Sequence, residues 1–101
     1  MVKHIVMWKL KDHAHGSTKA VTAELIKSKL ESLREKIPGI LKLEVGIDFS
    51  ATAESADVVL NSEFESRDAL DAYQAHPDHK AVMPFIKEAR GERRMVDYEK
   101  I

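Results

Sequence analysis

IPGILKLEVGIDF, Ile37 to Phe49, is the stretch that decides the fold. Leu41, Leu43, Val45, Ile47 and Phe49 alternate with Lys42, Glu44, Gly46 and Asp48, which is the two-residue period of a half-buried strand. Pro38-Gly39 immediately before it stops a helix, since proline cannot continue one and glycine accepts the left-handed cap. Upstream, Ile26, Leu30, Leu33 and Ile37 fall at helical spacing, with Val21 and Leu25 extending the stripe. A helix capped by Ser17 or Thr18 therefore runs to about Lys36.

Working outward, Val2, His4, Val6, Trp8 and Leu10 share one face of a first strand, with Lys3, Ile5, Met7 and Lys9 on the other. The richer face is expected to meet the helices. KDHAHGS reads as a loop, SATAESA as a small-residue connector, and Asp57 to Phe64 as a third strand with Val58, Leu60 and Phe64 on one side. Ser66 caps a second helix whose inner positions are Ala69, Leu70 and Tyr73. His76-Pro77 interrupts it, because the residue before a proline avoids helical backbone. Pro77 suits the first turn of a new helix, and Asp78 its positive end. That helix carries Val82, Phe85, Ile86 and Ala89, is expected to be shortened or kinked by Pro84, and ends at Gly91. Arg93 to Glu99 is the last strand, carrying Met95, Val96 and Tyr98.

The order β-α-β-β-α-β is that of an α+β, ferredoxin-like fold: an antiparallel sheet with helices on one face. The other face is left open, and Ile5, Met7, Val59 and Met95 are expected to make it apolar. A homodimer with the two sheets facing each other would cover it. Residues 1–101 are read as one domain, with a core that is thin for want of length.

Composition narrows the function classes. Sixteen Lys and Arg against seventeen Asp and Glu give a formal charge of −1, without the basic excess of a nucleic-acid binder. The absence of cysteine removes disulfides, thiolate catalysis and Cys-type zinc sites, and fits a cytoplasmic location. The apolar run Ile5 to Trp8 is too short for a membrane span or the core of a signal peptide. His13-x-His15 and His76-x-x-His79 each lack an evident third ligand, so no metal is expected, and no phosphate-binding glycine loop suggests a nucleotide cofactor.

Four blocks carry a resemblance: VKHIVMWKLKD, IPGILKLEVG, EFESRDALDAYQAHPDHKAV and VDYE. In this order they resemble the stress-responsive A/B barrel (Dabb) family over nearly the whole chain. The resemblance implies a ferredoxin-like subunit forming a dimeric α/β barrel. Many members have no known activity; others resemble plant heat- and salt-stress proteins or olivetolic acid cyclase-like polyketide cyclases. The latter close a keto chain by aldol condensation without metal or organic cofactor, in a pocket between sheet and helices. Carried over by position, their strand histidine matches His4, their helix tyrosine Tyr73, and their catalytic histidine His79. Val58 and Leu30 stand where the cyclases have a further histidine and tyrosine.

The resemblance thus implies His79 as base, with Tyr73 and His4 orienting a carbonyl. The residue types suit the task, since a neutral imidazole accepts a proton at neutral pH and a phenol polarises a carbonyl. All three equally suit structural roles, His4 and Tyr73 in the core and His79 in a first helical turn. Trp8, Leu30, Val58 and Phe85 are expected to line the pocket, although such residues also serve as plain core. Three functions follow: binding of a small apolar or keto ligand, cofactor-free cyclisation or isomerisation of a keto substrate, and a stress-protective role residing in the assembly alone.

Overall fold

The computed structural model describes residues 1–101. Its elements are β1 (Val2–Leu10), a short hairpin of β2 (His13–Ala14) and β3 (Ser17–Thr18), α1 (Lys19–Glu31) with a 3-10 turn at Ser32–Glu35, β4 (Ile40–Ile47), β5 (Val58–Phe64), α2 (Arg67–Ala75), α3 (Pro77–Ala89) and β6 (Arg90–Glu99). The main sheet has the order β4-β5-β1-β6, and every neighbouring pair is antiparallel. It is an open sheet of four strands; one chain does not close a barrel. No helix is long and apolar enough to cross a membrane.

Local chemistry sets the element ends. Thr18 Oγ1 accepts from the Val21 N–H, and Ser66 Oγ from the Ala69 N–H at 3.1 Å, so both predicted caps form. His76 is extended (φ −65°, ψ 137°), as a residue before proline should be, and its Nδ1 accepts from the Asp78 N–H at 3.1 Å. It closes α2 and caps α3 at once. Gly39 turns the chain into β4 with φ 87°, and a Cβ there would lie 3.0 Å from the Ala69 Cβ.

The core lies between the sheet and the helices. Val2, Val6, Trp8, Leu43, Val45, Val58, Leu60 and Phe64 supply the sheet side, and Ile26, Leu30, Leu70, Tyr73 and Ile86 the helix side, all buried. Each such aliphatic or aromatic side chain contributes about 1.5–3 kcal/mol when fully withdrawn from water.

Several expectations need correction. The KDHAHGS loop contains the β2-β3 hairpin, whose turn residues His15 and Gly16 have φ 53° and 72°. Val21 and Leu25 are exposed, because the buried stripe of α1 runs through Thr22, Ala23, Ile26 and Leu30, one residue further round the helix. Leu41 is a bulge: Ile40 faces Phe64 and Lys42 faces Glu63, leaving Leu41 unpaired and outward. Phe49 lies past the end of β4 and is exposed. Helix α3 runs through Pro84 to Ala89, with the proline on the exposed side. Gly91 does not end that helix; it lies inside β6, which starts at Arg90. Finally, Met95 stands opposite Val6 and so lies on the helix side of the sheet, while Val96, opposite Ile5, joins the open face.

Candidate functional site

Register brings Leu43, Ser62, His4 and Asp97 into one row across the four strands, on the helix side. Ser62 Oγ donates to the His4 carbonyl at 2.6 Å. His4 is buried, and its Nδ1–H donates to Asp97 Oδ1 in a close charge-assisted contact. That bond fixes the ring orientation.

Helices α2 and α3 complete the group. The Tyr73 ring stands edge-on to His4 at 6.4 Å between centroids, and packs at 4.9 Å from Phe64 and 4.5 Å from His79. His4, Tyr73 and His79 therefore do come together, around one cavity of about 280 Å³. Leu30, Val6, Trp8, Leu60, Met83 and Ile86 give this cavity its apolar wall. Two polar atoms of its lining residues, Tyr73 Oη and His79 Nδ1, are buried and have no hydrogen-bond partner within the chain.

Burial tunes both groups. It pushes the Tyr73 hydroxyl up to about 12, so the phenol holds its proton throughout the neutral range. Burial also lowers His79 below the ordinary histidine value; the Gln74 carbonyl opposes this, and the charges of His4 and Arg93 reinforce it. His79 is therefore a neutral imidazole at pH 7. A protonated phenol and a neutral imidazole in one apolar cavity are a hydrogen-bond donor and a proton acceptor for the same small molecule.

The four expected lining residues divide. Trp8 and Leu30 line the cavity. Val58 is buried in the core opposite Trp8 in the register, outside the lining. Phe85 is also outside it, stacked on the His15 ring at 3.9 Å with Lys29 Nζ over its face. No three His, Asp or Glu side chains gather as metal ligands, and His76 is spent on its cap. Asp97 was not singled out in the sequence. It shares a face with Met95, two residues away, and only the pairing with β1 shows that this face meets the helices.

The match to known proteins follows this geometry. The model of the Stress Responsive A/B Barrel Domain matches residues 2–100. The chain belongs to that family. A dimeric ferredoxin-like protein of unknown function from Bacteroides fragilis is 37% identical, with TM-score 0.86 over 98% of this chain and 95% of that one. A second dimeric ferredoxin-like protein, from Thermobifida fusca, is 25% identical with TM-score 0.82 over 96% and 88%. The hydroxynitrile lyase of Passiflora edulis shares the fold at 17% identity and TM-score 0.81, over 96% of this chain and 90% of that one. No curated protein matches the chain.

Proposed function

We propose that this A/B barrel protein binds a small, mostly apolar ligand carrying a carbonyl group in the cavity between sheet and helices, and does so as a cytoplasmic homodimer. One observation carries the reading: the Tyr73 hydroxyl is wholly buried at the cavity wall and unpartnered within the chain. Burying such a group without a partner costs about 1–3 kcal/mol, and a ligand carbonyl would accept the hydrogen bond that offsets this. The cavity's volume is near the lower end of the range for small-molecule sites. The dimer is supported by the apolar centre of the open face and by the dimeric Bacteroides fragilis relative. The absence of cysteine is in keeping with the cytoplasm.

Titration with 2-octanone tests the binding reading. Tyr73→Phe should weaken binding about five- to tenfold, the equivalent of one hydrogen bond, and Leu30→Trp should block it by filling the cavity. Binding unchanged in both variants would sink the reading.

The neutral state of His79 favours a second reading, a cofactor-free enzyme that abstracts a proton beside the carbonyl. Solvent deuterium should then enter the carbon next to the carbonyl of a bound ketone, followed by NMR, and His79→Gln should stop it. Wash-in at the same rate with and without wild-type protein would leave only binding.

A further inference from the structure

The mouth of the cavity carries Lys87 from α3, Arg90 at the helix-strand junction and Arg93 on β6. None of the three forms an ion pair, although cations elsewhere on the chain do: Lys3 and Lys100 with Glu63, Lys19 with Asp12 and Asp57, Lys27 with Glu31, Arg67 with Glu99. The cavity lining contains no Asp or Glu at all. Three free cations therefore stand over an apolar wall with a buried, unpartnered phenol beneath them. The charge of Arg93 also reaches the interior, since it contributes to lowering His79.

We infer that the ligand is an organic acid, held with its apolar body against Leu30, Leu60, Met83 and Ile86 and its carboxylate at the mouth between Arg90, Arg93 and Lys87. This rests on the reading of the cavity as a ligand site and adds the charge of the ligand to it. A planar guanidinium and a carboxylate match in a two-pronged hydrogen-bonded pair, and two guanidiniums from the start of β6 would fix the acid's direction of entry. The remainder of the molecule should be mostly apolar, because below the three cations only Trp8, Tyr73, Gln74, His4 and His79 offer it polar side-chain atoms. A bare phosphate would leave that wall unfilled.

Calorimetric titration at pH 8 with octanoate, 1-octanol and inorganic phosphate separates the possibilities. Octanoate should bind at least about tenfold more tightly than 1-octanol, the scale expected of a charge-assisted pair. Arg93→Gln and Arg90→Gln should each bring the acid down toward the alcohol while leaving the alcohol unchanged. Arg93 is exposed, so its replacement is readily tolerated by the fold. Equal binding of acid and alcohol would overturn the inference but keep the cavity reading. Failure of both to bind would overturn the two together. An acid preference that survives both arginine variants would overturn the assignment of these residues. Displacement of octanoate by phosphate would replace it with a plain anion site.

Discussion

The two faces of the sheet share one set of strands and differ in almost everything else. On the helix side, Val6, Leu60 and Phe64 are at most 3% exposed, and the one polar row, Ser62, His4 and Asp97, is hydrogen-bonded together. On the open side, Met7 is 42% and Val96 49% exposed, with Ile5 and Val59 between them. A polar network of Lys3, Asn61, Glu63 and Lys100 borders that apolar centre at one end. One face is finished by its own chain and holds the candidate chemistry. The other is unfinished, with an apolar centre of Ile5, Met7, Val59 and Val96 suited to a second sheet.

Five experiments break or sharpen that contrast. The largest effect is expected from Phe64→Ala, which should cost about 3–5 kcal/mol in chemical denaturation by leaving a cavity under α2. Val59→Ala on the opposite face of the same strand should cost far less at protein concentrations where the chain is monomeric. Equal losses would deny the asymmetry. Met7→Glu should next shift sedimentation from dimer to monomer without unfolding, since it puts a charge in the apolar centre of the open face. A dimer that persists would place the interface elsewhere.

Tyr73→Phe should stabilise the ligand-free protein by about 1 kcal/mol or more, because it removes a buried hydroxyl with no partner within the chain. Ser62→Ala should act in the opposite sense and cost about 1 kcal/mol through the lost bond to the His4 carbonyl. These two polar deletions, one on α2 and one on β5, thus separate the group proposed to face the ligand from a structural one. The smallest effect is a pH slope. His79 is lowered in the folded protein, so below the unfolded histidine value near 6.5 the unfolded chain takes up more protons. Its contribution to stability should be complete above pH 6.5 and decline as pH falls toward the folded value. His79→Gln should flatten that part of the stability-pH curve.

Much of this was legible in the sequence, and the misses share one cause. Period-two alternation in Val2–Leu10 and Val58–Phe64 gave faces that the register confirms. The caps at Thr18, Ser66 and His76 were readable because each depends on a local hydrogen bond. The failures at Leu41 and Met95 are matters of pairing: a bulge and a partner strand decide which way a side chain points, and neither is written locally. The site followed the same rule. His4, Tyr73 and His79 could be nominated by family resemblance, but Asp97 beside His4 lies 93 positions away in the chain and needed the β1-β6 register. The Lys87, Arg90 and Arg93 mouth was invisible for the same reason, since a helix, a junction and a strand converge there only in three dimensions.

Strand β6 has β1 as its sole neighbour in the sheet and is exposed along nearly its whole length. It nonetheless supplies Asp97 to His4 and Arg93 to the cavity mouth. Local opening is least costly at such an edge, so the His4–Asp97 contact should come apart and re-form far more often than the core beneath it. Any surface that docks along β6 would slow that breathing, and would tighten the site without touching a ligand.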